Sequence, residues 1–240
     1  MPLFPFQTTP RSAIDPKSQL LLENMAAAYR ALKSLSMEIR VRATSGGKEE
    51  IANAKLEWQR PDRLSLRING GTVSRSIVAN SSIRIETTGS RIRRRDGIRP
   101  ANAVADALSN SELFIAPIVP ELLTKPDAFK RLLPGNVIRL GLGSDERLDN
   151  VPVDVVVADV VAPGGSARLR FAIGKTDHLL RRLQIQSTRG ETTLDLSEHY
   201  TEVFPNPTLP ESVFATGVSG PTVRPAPPIP NRPSAPRKKP

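Results

Sequence analysis

The chain has 240 residues, with 34 lysines and arginines against 24 aspartates and glutamates, a formal charge of +10, and no cysteine. Disulfides and thiolate chemistry are therefore excluded, and no apolar run approaches the roughly 20 residues that a membrane-spanning helix needs. Only 4% of residues are aromatic, while 23 prolines and 15 glycines favour turns and short elements, so the core has to be built from aliphatic side chains.

Half of the charge belongs to the C-terminal tail, where Arg224, Arg232, Arg237, Lys238 and Lys239 contribute +5 with no acidic residue after Glu211. The rest attracts acidic surfaces only moderately. The N-terminal stretch MPLFPFQTTPRSAIDP has no basic segment followed by an apolar one, so it does not read as a signal peptide.

Residues 1–14 read as an irregular arm. From Pro16 an amphipathic helix of about five turns is expected, with Asp15 as N-cap, Pro16 at the first helical position, and Leu20, Leu21, Met25, Ala28, Tyr29 and Leu32 on one side. Strict alternation follows. Met37, Ile39, Val41 and Ala43 alternate with Glu38, Arg40 and Arg42, and after Ser45-Gly46-Gly47-Lys48 come Ala54, Leu56 and Trp58. Beyond the Arg60-Pro61-Asp62 hinge, Leu64, Leu66 and Ile68 alternate with Arg63, Ser65 and Arg67. Asn69-Gly70-Gly71 then signals a hairpin into Thr72–Ala79. Asn80-Ser81-Ser82 turns again into Ile83-Arg84-Ile85-Glu86, and a further strand is expected around Ile92. Period-two alternation with charges on one side means a sheet with one wet face and one dry face.

The middle of the chain departs from this pattern. Ala101–Leu108 reads as a short helix, and 112–133 as an apolar helical region interrupted by Pro117, Pro120 and Pro126, which either is buried or covers something. Strands resume at 137–142, 153–161, 168–173, 180–186 and 192–199. The continuous run Val155–Val157 suggests a strand covered on both faces. After Gly217 the Pro/Arg/Lys-rich tail, 218–240, cannot build a core and is expected to sample extended polyproline conformations. The expected domain is therefore 15–217, of class α+β, with about ten or eleven antiparallel strands that must curl around something and the proline-broken helices as natural covers.

Chemistry-bearing constellations are sparse. His178 falls in a turn and His199 ends a strand, which gives no metal-ligand spacing. Gly141-Leu142-Gly143 lacks the third glycine of a dinucleotide fingerprint and reads as a strand with a bend. No catalytic residue, metal site or cofactor is expected, and an enzyme reading would need a cleft pairing His199 with a carboxylate and a hydroxyl. Arg91-Ile92-Arg93-Arg94-Arg95 has no aromatic platforms nearby, so a solvated edge strand, or contact with acidic headgroups or a protein, is preferred to nucleic acid.

The order of elements resembles the LolA-like superfamily of periplasmic lipoprotein-sorting and lipid-carrier proteins, especially its branch of predicted secreted proteins of unassigned function. The residues that carry the resemblance are Tyr29–Ser36, the turn Arg60-Pro61-Asp62-Arg63-Leu64, and the close Phe204-Pro205-Asn206-Pro207-Thr208-Leu209-Pro210-Glu211-Ser212-Val213-Phe214. It spans roughly 15–217. It implies a half-open β-barrel with an apolar cavity for acyl chains, and a periplasmic or secreted location. In the lipoprotein carrier the arginine of the Arg-Pro turn hydrogen-bonds to a helical lid, and Arg60 matches that position; this chain is poorer in aromatics.

On this reading the protein is a non-enzymatic, monomeric carrier of a lipid or lipoprotein acyl chain. Its wall would be Met37, Ile39, Val41, Leu56, Trp58, Leu64, Leu66 and Ile68, its cover Phe114, Ile118 and Leu122, and Arg60 the latch of the lid. A plainer alternative makes Pro61 a stiff wet turn and Trp58 core filling. The rival of another class is an envelope interaction or sensor domain whose half-barrel is filled by its own helices, recruiting a partner through the basic edge or the tail. A sealed interior favours the rival, and an open aliphatic one the carrier.

Overall fold

The computed structural model describes residues 13–61, 63–70, 74–80, 83–96, 118–124, 132–133, 135–162 and 164–215. Their elements are β1 (Ala13–Ile14), α1 (Pro16–Ala31), β2 (Ser34–Ser45), β3 (Lys48–Gln59), β4 (Arg63–Gly70), β5 (Arg75–Asn80), β6 (Ile83–Thr88) and β7 (Arg91–Asp96). Then come α2 (Ile118–Thr124), β8 (Asn136–Leu142), β9 (Glu146–Leu148), β10 (Val151–Ala162), β11 (Gly165–Gly174), β12 (Leu180–Arg189), β13 (Thr192–Pro205) and a 3-10 helix, Glu211–Phe214.

Asp15 starts α1 as the pattern predicts: its carboxylate accepts from the Ser18 amide at 2.9 Å and from the Ser18 hydroxyl at 2.6 Å, with Pro16 in the first turn. The buried stripe is rotated from the expected one. Leu21, Leu22, Met25, Ala26 and Tyr29 face the core, whereas Leu20 is 54% exposed.

All thirteen strands join one mixed sheet of order β1-β8-β10-β11-β12-β13-β2-β3-β4-β5-β6-β7, with β9 paired to β10. The expected ten or eleven strands are thus thirteen among the described residues. The two extra ones, β1 with two residues and β9 with three, are too short to show alternation. The all-antiparallel expectation is corrected too, because β1 pairs with β8 in parallel. Among the described residues the sheet does not close: β7 ends the order at one side and β1 at the other. Two antiparallel meanders meet at β13 and β2, where Leu196 faces Ala43, Glu198 faces Val41 and Tyr200 faces Ile39.

Strand parity sorts the faces. On β2 the odd positions Leu35–Ala43 are buried while Glu38, Arg40 and Arg42 are exposed. The buried face carries the main core, which α1 and α2 join through Leu22, Met25, Val119, Leu122 and Leu123. A smaller core of Leu148, Val153, Val155 and Ala172 lies apart from it. Val155 belongs to the small core and Val156 to the large one, so β10 is covered on both faces, as its apolar run predicts. Gly143 lets β10 approach, since a Cβ there would lie 2.7 Å from a Val155 methyl.

Candidate functional site

The wall candidates come together as one plate. Cross-strand register sets Met37, Leu56, Leu66 and Ile77 in one row over β2–β5, Leu35, Trp58, Leu64 and Ala79 in the next, and Ile39, Ala54 and Ile68 in a third. Each strand contributes alternate residues, so the plate follows directly from the sequence period. Val41 and Ala52 extend it. From the other side Ile118 and Leu122 of α2 join the same cluster, and Phe114 lies outside the described residues.

This plate is not open. Met37, Leu56, Trp58, Leu64, Leu66 and Ile68 are all at most 2% exposed, and Ile118 is 8%. Val119, Leu123 and Leu132 are buried in the same cluster, and α2 lies against α1. Among the described residues the plate is thus covered by other buried side chains of the chain.

Beyond β5 the same face changes character. The first row continues through Ile77 to Glu86 and Arg93, the second from Ala79 to Arg84, and the third from Ile68 through Arg75 to Thr88 and Arg91. Arg84, only 3% exposed, reaches Glu86 at 2.9 Å, and Arg75 lies 3.8 Å from the same carboxylate and donates to the Thr88 hydroxyl at 3.2 Å. The apolar plate thus ends in a rim of guanidinium groups.

Arg60 holds α1. Its Nε donates to the Leu32 carbonyl at 2.8 Å, an Nη donates to the Arg30 carbonyl, and its own amide donates to the Lys33 carbonyl at 2.9 Å. These carbonyls belong to the C-terminal end of a helix, where unpaired oxygens and the macrodipole favour a cation. The guanidinium also stacks 5.3 Å above the Trp58 ring, and the Arg60–Pro61 bond is cis. The arginine expected to latch a lid thus hydrogen-bonds to the end of the N-terminal helix.

Two features carry no sequence signal. Under α1, the fully buried Tyr200 hydroxyl donates to the equally buried Glu198, while the Tyr29 hydroxyl accepts from the Leu180 amide at 3.3 Å. Burial pushes both phenols up, and for Tyr200 the Glu198 charge adds to it. On the wet face, a groove of about 400 Å³ is lined by Arg42, Arg168, Arg170, Gln184, Gln186 and Asp195. Its arginines already pair with Glu49, Asp159 and Glu146. His199 lies 2.9 Å from Asp149 without hydrogen-bond alignment. Among the described residues no group of three or more His, Asp or Glu could hold a metal ion, and no helix is long and apolar enough to cross a membrane.

No family model matches the chain, and no curated protein matches it. In fold it is similar to LolA-like proteins among solved structures. LprF from Mycobacterium bovis is 12% identical, at a TM-score of 0.46 over 83% of this chain and 98% of that one. A LolA superfamily protein from Nitrosomonas europaea is 11% identical, at 0.38 over 82% and 97%. The MucA/MucB complex of Pseudomonas aeruginosa gives 10% identity and 0.43 over 84% of this chain, but the chain spans only 61% of that one. With TM-scores below 0.5, these likenesses leave the function to the chain's own geometry.

Proposed function

We propose that this chain is a non-enzymatic binding domain of the cell envelope, with an interior filled by its own helices and a partner met on its outer surfaces. The observation that supports this reading is the burial of the whole aliphatic plate, with Leu56, Leu66 and Ile68 at 0–1% exposure. The envelope location is the one that the LolA-like resemblance implies.

Magnitudes separate this reading from the carrier. Lifting α2 would expose Ile118, Val119, Leu122 and Leu123, at roughly 1.5–3 kcal/mol each, or about 6–12 kcal/mol, before the uncovered plate is counted. An acyl chain of about sixteen carbons returns roughly 0.8 kcal/mol per methylene, or about 12 kcal/mol, and still has to offset its own ordering. The two nearly cancel, so the interior is a poor resting place for cargo. The carrier remains the second reading, because the plate is aliphatic and continuous and α2, at seven residues, is a short cover.

Native mass spectrometry of the purified protein, followed by organic extraction, decides between them. The expected result is a lipid-free mass and a Trp58 emission spectrum unchanged by added phospholipid. A co-purifying acyl chain, or an emission shift that saturates with lipid, would replace this reading by the carrier.

A further inference from the structure

The strand that ends the sheet is its most basic one. β7 pairs with β6 along all six residues, Arg91 opposite Thr88 through Asp96 opposite Ile83, and among the described residues no strand lies on its other side. In an antiparallel edge every second residue turns its N–H and C=O outward, so β7 offers about three donors and three acceptors to an added strand. Four of its six residues are arginines. Between Arg75 and Asp96 the sequence sets six arginines against two carboxylates. One of these, Glu86, is already shared by Arg84 and Arg75, whereas Arg91 and Arg93 are exposed and make no ion pair among the described residues.

We infer that β7 is a docking edge for an acidic, extended peptide segment of another protein, which adds as a further strand. The inference rests on the self-filled interior proposed above, because a carrier would not need this edge. Charge selects the occupant. A second copy of the same edge is repelled by four arginines facing four, whereas an alternating acidic strand places carboxylates opposite Arg91 and Arg93 while its backbone completes the ladder. The chain's own ends are poor occupants, since residues 1–12 and 216–240 contain no aspartate or glutamate. An anionic membrane would answer to the charge alone. It leaves the outward amides and carbonyls of β7 unused, and that difference favours the peptide.

The test uses the full chain and a ten-residue capped peptide of alternating glutamate and valine, with binding followed by fluorescence anisotropy of a dye on the peptide. Binding is expected to weaken roughly tenfold between 50 and 500 mM salt, and at least tenfold in the double variant Arg91→Glu/Arg93→Glu. Both residues are exposed, and an unchanged melting temperature confirms that the variant folds. The peptide with every backbone amide N-methylated keeps its charge but can donate along neither edge, and is also expected to lose at least tenfold. Equal binding of the methylated peptide, no binding at all, or binding only to vesicles with 30% anionic lipid overturns the inference. Lipid in the purified protein would count against the interior reading instead, so the two failures are distinguishable.

Discussion

Replacing Arg60 by alanine removes two hydrogen bonds at the end of α1 and a guanidinium stacked on Trp58. A charged donor to a buried carbonyl contributes about 1.5–3 kcal/mol, but Arg60 is solvent-exposed, so about 1 kcal/mol per bond is the appropriate figure. The exposed cation–π contact adds about 0.5–1 kcal/mol. Arg60→Ala is therefore expected to lose about 2–3 kcal/mol, or roughly 5–10 °C in melting temperature for a domain of this size. Arg60→Lys keeps a positive charge near the helix C-terminus but cannot fork to two carbonyls, and should lose about half as much. Urea titration read by both far-ultraviolet circular dichroism and Trp58 fluorescence measures these losses. A loss below about 0.5 kcal/mol in Arg60→Ala would refute the latch, and lysine performing as well as arginine would reduce it to charge alone.

Phe214 is fully buried against β4 and β5, with Arg63 stacked 6.0 Å from its ring, so Phe214→Ala should cost about 3–5 kcal/mol in chemical denaturation; a neutral result would mean that the 3-10 helix does not hold those strands. Asn206 sits at a φ of 56° and its side chain accepts from the Lys33 amide at 2.7 Å. Asn206→Ala should lose about 1–2 kcal/mol and Asn206→Gly less, since glycine relieves the backbone; the reverse order in melting temperature would contradict this. The Ser18 hydroxyl and amide hold the Asp15 carboxyl below its ordinary 3.8. Because the folded value is the depressed one, its stabilisation is complete above 3.8 and disappears as pH falls through the folded value. Asp15→Ala should therefore melt earlier than wild type at pH 7, with the gap closing in strong acid; a gap independent of pH would exclude the ionised cap.

Local chemistry was legible wherever its cause was local. Asp15 and Pro16 announced the helix start because capping involves neighbours three residues apart. Gly46 and Gly47, at φ of 56° and 77°, announced the β2–β3 turn because other residues strain there. The wall set Met37–Ile68 was readable because side chains alternate along any strand. Less legible was the rotation of α1, which buries Leu22 and leaves Leu20 exposed, since the sheet it packs on sets that angle. The partner of Arg60 was also hidden, because the Arg-Pro turn could meet either helix and only the packing brings it to Arg30 and Leu32.

By itself, the sequence determined the period of each strand, the start of α1, the turns and the aliphatic composition of the core. Only the tertiary structure decided which face each period turned toward the interior. Register puts Ile85 with Val78 on the outer face, and so places Arg84 and Glu86 on the same face as Ile77 and Ala79. It also decided that the aliphatic plate is buried and that, among the described residues, β7 ends the sheet. Alternation is a property of one strand, whereas facing, filling and edges depend on residues far apart in the chain, whose proximity no local pattern encodes.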